Sequence, residues 1–495
     1  MKKTMNYLAC DLGAESGRVI LGSLTNKKLL LQEVHRFQNG PIRVNNHLHW
    51  DVLKIWSEIK NGILKTVQLA GKDIASIGVD SWAIDFGLVD QFGDLLGLPY
   101  CYRDSRTDGI LDFVKRKISE QEIYKRTGLN YISISSLCQL LAMKKLGSPA
   151  LKDADSFLLI PNLITYWLSG QKTAEITIAG NSQMLNIFSK TWDQDLVELF
   201  GLSTNILPKV FPSATVVGPL LNDLKEEFGL PNLKVVLPAC HDTSAAIAGV
   251  PSEGEDFACI SCGTWSVIGT ERKNPILSLQ ALEKGFLNEQ AACGKIFFAV
   301  NSIGLWSIQE LRREFRTAGN DWDYDTLTQM AGAAKPFFAI VNPDDNIFWK
   351  PGKMTANIAD FCRRTNQIPP DSTGSFVRTM LEGLALRYRK TIVDLEYLTE
   401  KKYDKIYIVG GGSKNQLLCQ LTADATKKVV VAGPSEATAS ASILLQALAM
   451  GEIDSIQDMR SIIRQSNPIQ IYQPANNESW EKASIIFDSF KTLTL

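Results

Sequence analysis

Leu8-Ala9-Cys10-Asp11-Leu12-Gly13-Ala14-Glu15-Ser16-Gly17-Arg18-Val19-Ile20 is the stretch whose reading decides the fold. A short apolar run ends in an aspartate, a glycine turn follows, and the apolar run resumes at Val19. Two strands joined by so short a loop read as a hairpin. Dinucleotide-binding and P-loop motifs need a helix after their glycines, and G-x-x-x-x-G-K-[ST] is absent. A hairpin turn can still bind phosphate, because its N–H groups converge while Ser16 adds a hydroxyl and Arg18 a charge. It can equally be a plain turn that uses glycine for positive φ. A recurrence shifts the balance: Ala258-Cys259-Ile260-Ser261-Cys262-Gly263-Thr264-Trp265-Ser266-Val267-Ile268 repeats the order strand, small-residue turn, strand. Two halves that open alike predict a duplicated α/β fold facing itself across a cleft, with one turn from each half gripping a polyphosphate.

A chain of 495 residues exceeds one core, since cores stop growing at about 250–300 residues, so two domains are expected. The polar, turn-rich Val250-Pro251-Ser252-Glu253-Gly254-Glu255-Asp256 marks the boundary and divides the chain into 1–250 and 251–495. Hydrophobic residues make up 45% and charged residues 21%, as in soluble globular proteins. With a net charge of −1 and no dense Lys/Arg run, neither nucleic acid nor an anionic membrane is an expected partner. The start lacks a signal-peptide pattern and no run of about 18 apolar residues occurs, so a cytoplasmic protein is expected. The nine scattered cysteines suit reduced core thiols. Cys259 and Cys262 lack the second pair that a structural zinc needs, and the four histidines complete no metal cluster.

Val52 to Leu69 reads as an amphipathic helix. Ile74 to Asp90 is a buried strand that emerges at Asp80-Ser81-Trp82-Ala83 and re-enters. That break suits a sugar pocket with a polar edge and an indole face, or a strand end with a core tryptophan. Tyr102-Arg103-Asp104-Ser105-Arg106 fits either a pocket wall or a solvated charge cluster, and residues 111–230 read as mostly helical. Leu233 to Leu237 runs through Ala239-Cys240-His241-Asp242-Thr243-Ser244 into the small residues Ala245 to Gly249. An aspartate at such a strand-to-helix corner is a preferred N-cap and is also placed to accept a proton. Farther on, the strand Lys405–Val409 enters Gly410-Gly411-Gly412, whose adjacent glycines permit close backbone approach by a flat ligand.

In order along the chain, several motifs are similar to those of the FGGY carbohydrate kinases: Asp11-Leu12-Gly13-Ala14, Ser16-Gly17-Arg18, Asp80-Ser81-Trp82-Ala83-Ile84-Asp85-Phe86-Gly87, Tyr102 to Gly109, His241-Asp242-Thr243, Ser261 to Trp265 and Gly410 to Gly412. The resemblance covers nearly the whole chain and implies the actin-like ATPase fold, two ribonuclease-H-like α/β domains facing a cleft. By carry-over, Asp242 is the proton acceptor, and Ala83, His241, Thr243 and Asn301 hold a ketose. Ala14, Glu15, Ser16, Gly17, Arg18, Thr264, Gln309, Gly410, Gly411 and Gly412 hold ATP. Mg²⁺ prefers carboxylate, water and phosphate oxygens, which makes Asp11 its anchor, directly or through water. The implied reaction is phosphorylation of L-rhamnulose at its 1-hydroxyl, with L-fuculose or xylulose as alternative ketoses and an actin-like ATPase scaffold as a distant alternative. An ordinary carboxylate pKa near 3.9 would suffice for Asp242, because proton transfer comes late in a loose transition state. Two positions depart from the family's pattern: Ala83 stands where glycine is usual, and Cys240 where serine or threonine is usual. Sugar choice is expected to be decided there.

Overall fold

Tyr7 through Leu12 are buried without alternation in β1 (Met5–Leu12), the pattern of a strand covered on both faces. In the computed structural model, which describes residues 4–475 and 478–490, β1 is the hub of the first sheet. The outer ends of the two expected domains, residues 1 and 495, lie outside the described residues. β1 pairs antiparallel with β2 (Ser16–Thr25), and β2 with β3 (Lys28–Gln38). On its other side β1 pairs parallel with β4 (Ser76–Ser81). β5 (Thr215–Pro219) and β6 (Lys234–Leu237) complete the order β5-β6-β4-β1-β2-β3. Helix α1 (Val52–Ala70) lies against β2 and β3, burying Val52, Ile55, Ile59 and Ile63 along one face. Between β4 and β5, short helices and strands gather around an apolar cluster that includes Leu137, Ile178 and Leu185.

The second sheet has the same centre. β7 (Ala258–Cys262) and β8 (Trp265–Arg272) form an antiparallel hairpin. β9 (Leu287–Gln290) and β10 (Ile296–Ile303) extend it beyond β8. β11 (Lys405–Val409) lies parallel beside β7, followed by β12 (Val429–Ala432) and β13 (Gln470–Tyr472). The hairpin β7–β8 with parallel β11 reproduces β1–β2 with parallel β4, so the recurrence in sequence is a recurrence in topology. The long helix Thr373–Thr399 backs this sheet, pinned at its start by a Ser372–Ser375 capping box. The glycine triplet does not lead straight into a helix: a 3-10 turn, Gly411–Lys414, precedes the helix Gln416–Thr426.

Two helices cross between the sheets. α2 (Asp242–Ala248) follows β6 of the first sheet, yet Ala246 and Ile247 pack with Phe257, Cys259, Tyr407 and Val409 of the second. α3 (Ala437–Ala449) follows β12 of the second sheet, yet Ala441, Ile443 and Leu444 pack with Tyr7, Ala9 and Leu24 of the first. Gln446 of α3 locks that contact, donating to the Leu8 carbonyl at 2.8 Å and accepting from Ser76 Oγ at 2.7 Å. α4 (Ile456–Ser466) follows α3 and lies on β3. Residues 437–466, beyond the expected boundary, therefore cover the first sheet. Among the described residues no helix is long and apolar enough to cross a membrane.

α2 and α3 touch through small residues, and a Cβ on Gly249 would stand 2.5 Å from the Ala437 carbonyl oxygen. Gly249→Val is expected to destabilise the protein by about 1–3 kcal/mol through overpacking. Urea unfolding checks this against Gly218→Val, where a Cβ meets nothing within 4 Å and the midpoint should hold.

Candidate active site

The corner that carries Asp242 is held from beneath. Ser81 N–H, at the end of β4, donates to the Cys240 carbonyl at 2.9 Å. Cys240 N–H donates to Glu175 Oε2 at 3.1 Å, and His241 N–H to Thr177 Oγ1 at 3.2 Å. Glu175 is buried and also accepts from Thr177 and Ile178, yet burial still pushes its pKa up to about 7. The N-cap position falls on His241, whose side chain makes no capping bond. Asp242 is the first helical residue, and its Oδ1 accepts from the N–H and hydroxyl of Thr243.

About a third of the Asp242 side chain, 34%, remains open to the cleft. It nevertheless stands deep among protein atoms, and burial first, then the charge of Asp11, push its pKa up to about 7. The ordinary carboxylate value expected from sequence is thus corrected upward. His241 is buried, and burial keeps its ring neutral against the opposing pull of Glu289. The Asn181 amide nitrogen donates to the Thr177 carbonyl at 3.0 Å and lies 3.1 Å from His241 Nδ1. Nδ1 is therefore the acceptor, and the ring proton sits on Nε2, 3.6 Å from Asp242 Oδ1.

Asp11 and Asp80 are neighbours in the β1–β4 ladder. Asp80 is fully buried, and neither of its carboxylate oxygens has a hydrogen-bond partner among the described residues. Burial, then Asp11, push its pKa well above the usual carboxylate range; the Ser442 hydroxyl eases the charge without making a bond of good geometry. Opposite Asp11 in the β1–β2 ladder, Arg18 pairs with Asp11 and, at 2.7 Å, with Glu436. Asp11, Asp80 and Asp242 thus share one corner against a single guanidinium, an arrangement that suits an added cation. Among the described residues no group of three or more metal-type ligands forms a cage. A cation placed here would have a carboxylate as protein ligand and would complete its shell with water and phosphate oxygens, the ligand set that Mg²⁺ accepts.

Beside this corner, Ala83 lies two residues past Ser81, which bridges to His241. The Ala83 carbonyl accepts from Asp85 N–H at 3.0 Å. Asp85 is a buried hub: Trp50 Nε1 donates at 2.6 Å, Trp82 Nε1 at 3.1 Å, Tyr102 N–H at 3.1 Å and Gln139 Nε2 at 2.9 Å. Of the two readings of Trp82, the fold adopts the core one, since the ring is 6% exposed and packs on Trp50, tilted by 40° with ring centroids 4.2 Å apart. Of the 102–106 charges, the Arg106 and Asp104 side chains are buried, with Arg106 donating to Gln139 at 2.6 Å, whereas Arg103 is exposed.

At the end of the second sheet, Thr264 and Gln309 are joined at 3.3 Å. The glycine turn packs on the β7–β8 turn, where a Cβ on Gly412 would stand 2.2 Å from Cys262 Sγ, and Gly410 takes a φ of 81°. Gly411 is exposed. In the first turn Gly13 N–H donates to the Ser16 carbonyl at 2.9 Å, and Asn39 Nδ2 donates to the Gly13 carbonyl at 2.8 Å. Ala14 and Ser16 are half-buried, Glu15 is exposed, and Gly17 is buried where a Cβ would strike the Phe37 ring.

The expected residues thus form three clusters. Asp242, His241 and Thr243 are linked through Ser81 towards Ala83; Ala14 to Arg18 lie beside Asp11; and Thr264 and Gln309 share the second sheet's end with Gly410 to Gly412. Asn301 lies in β10 opposite Val267, tied to none of the three by a hydrogen bond among the described residues. Glu175, Asn181, Glu289 and Glu436 escaped the sequence reading, since each is an unremarkable polar residue in its local segment. Asp80 and Asp85 were in view there only as part of a strand break.

Residues 6–249 match the N-terminal domain, and residues 258–450 the C-terminal domain, of the FGGY family of carbohydrate kinases. A protein of Oceanobacillus iheyensis named rhamnulokinase is 40% identical over 95% of this chain and 99% of its own length. A rhamnulokinase of Bacteroides thetaiotaomicron is 37% identical over 97% of this chain and 98% of its own. Among solved structures, gluconate kinase from Lactobacillus acidophilus superposes with a TM-score of 0.81 at 19% identity, covering 98% of this chain and 96% of that one. Plasmodium falciparum glycerol kinase with ADP gives 0.79 at 14% identity, covering 98% and 97%. These structures share the two-domain fold of actin-like ATPases described above.

The raised pKa of Asp242 also sets a pH dependence of stability. The folded state binds this proton more tightly than the unfolded chain, so the ionised carboxylate is a burden on the fold. That burden is absent below the unfolded value of 3.8, grows as pH rises, and is complete above about 7. Asp242→Asn should therefore raise the thermal midpoint over wild type by a margin that widens between these limits and is flat above them.

Proposed function

The chain belongs to the FGGY family of carbohydrate kinases, phosphotransferases with an alcohol acceptor, and we propose that it transfers the γ-phosphoryl of ATP to the 1-hydroxyl of L-rhamnulose. The observation that carries the choice of sugar is the near-full-length identity to relatives named rhamnulokinase. The geometry around Asp242 supports the chemistry. Thr243 occupies Oδ1, leaving Oδ2 as the oxygen to receive the proton of the sugar hydroxyl. A carboxyl with a pKa of about 7 is a far better base than an exposed aspartate, and it is ionised at slightly alkaline pH.

The Nε2–H of His241 faces the same space and is a donor for a second sugar oxygen, with Ala83 at the pocket edge. Phosphoryl transfer through a loose transition state is mainly positioning and charge stabilisation. Ser16, Thr264 and the N–H groups of the two hairpin turns are the donors for the phosphates, and Gly410 to Gly412 the surface for the nucleoside. Mg²⁺, when bound, neutralises phosphate charge, with Asp11 as its protein anchor. All nine cysteines are unpaired and eight are buried, Cys293 being the exposed exception to the expected core thiols; unpaired thiols suit a cytoplasmic kinase.

An ADP-release assay across ketoses and aldoses tests this reading. L-Rhamnulose should give the highest kcat/KM; preference for L-fuculose or xylulose would correct the sugar, and no sugar-dependent ADP would overturn the kinase. Asp242→Asn should lower kcat by about a hundredfold or more while ADP binding, read by calorimetry, stays near wild type.

A further inference from the structure

We propose that Glu436 is a positioning residue that shares Arg18 with Asp11, so that Asp11 can be given over to a divalent cation while Arg18 stays in place. The role rests on the kinase reading for the presence of that cation. Arg18 sits in β2 directly across from Asp11, and its two terminal nitrogens are divided: Nη2 pairs with Asp11 and Nη1 with Glu436 Oε2 at 2.7 Å. Glu33 approaches the same Nη1 at 3.8 Å. A guanidinium fork can hold two carboxylates at once, which a lysine cannot do with the same geometry.

The two main partners differ in setting. The Asp11 side chain is 11% exposed and borders the cleft, whereas that of Glu436 is 40% exposed and stands just before α3. A cation arriving at Asp11 meets Arg18 already there, and two positive groups on one carboxylate repel each other. Glu436 supplies the second anion that lets Arg18 keep a partner when Asp11 is engaged elsewhere. Its place in the chain gives the pair a wider reach. Two residues earlier, the Pro434 carbonyl accepts from Gly410 N–H at 3.1 Å. The Arg18–Glu436 pair therefore joins the first hairpin turn to the loop that supports the glycine turn.

The test is a double-mutant cycle on the full-length protein, reading Mn²⁺ affinity in the presence of ADP from the electron paramagnetic resonance signal of free Mn²⁺. Glu436→Gln keeps shape and removes charge. It should weaken Mn²⁺ binding about threefold to tenfold when Arg18 is present, and by less than about twofold in the Arg18→Gln background. An equal loss in both backgrounds would mean that Glu436 acts only as a distant charge, and overturns the proposal. So does unchanged affinity in Glu436→Gln, whether or not its thermal midpoint falls. The measurement needs neither sugar nor turnover. If sugar-dependent ADP formation is missing while the cycle behaves as expected, the kinase reading fails and the Arg18–Glu436 coupling stands.

Discussion

The close contact between α2 and α3 is the constraint on which the rest of the molecule depends. Each helix leaves one sheet and buries its apolar face against the other, so the two halves are joined by exchange as well as by a linker. Only small side chains allow it: Ala245, Ala248 and Gly249 on one side, Ala437 and Ala441 on the other. The end of α2 is held in turn by α4. Arg460, 2% exposed, pairs with Glu271 at 2.7 Å and lies over the Phe257 ring, while Arg464 donates to the Pro251 and Ser252 carbonyls at 3.2 and 3.1 Å. A buried arginine is costly unless paired, and Arg460 has partners in both halves of the chain, Glu271 in the second and the Ala248 and Ile247 carbonyls, at 3.4 and 3.5 Å, in the first. Asp242, at the other end of α2, is fixed at the seam between the two sheets.

Negative charge is concentrated at that seam, and the way each carboxyl is treated separates support from chemistry. Asp85 has four donors and, though fully enclosed, its pKa is pushed up only to about 6. Asp80, without partners of good geometry, is pushed well above the usual carboxylate range by burial and then by Asp11. Asp242 lies between support and solvent, with one oxygen bonded to Thr243 and an open face to the cleft. Buried carboxylates weaken a fold unless compensated, and functional sites are where such costs accumulate. The same burial that burdens the fold raises the basicity of Asp242, so stability and reactivity are set by one environment.

Much of the architecture was legible locally. The hairpin at 8–20 and its counterpart at 258–268 follow from apolar runs interrupted by small-residue turns, signals that span a dozen residues and need no distant partner. The helix Val52–Ala70 followed from periodicity for the same reason. The strand-to-helix corner at Asp242 was legible too, but its chemical character was not. Cap and base were both compatible with the sequence, the cap being the locally favoured reading, and the raised pKa comes from burial and then from Asp11, which lies far away in the chain. Trp82 could not be assigned for a similar reason: an indole at a strand end is a platform or a core residue according to what packs over it, and here Trp50 and Asp85 claim it.

By itself, then, the sequence determined the duplicated hairpins, the α/β class, the family motifs and the residues that could act. Each of these rests on spacing and turn chemistry within a short window. The tertiary structure alone decided that α2 and α3 exchange sheets, that Arg18 is divided between Asp11 and a glutamate 418 residues away, and that Asp80 is sealed without a good partner. Burial and ion pairing depend on which elements the two sheets bring together. No local pattern carries that information.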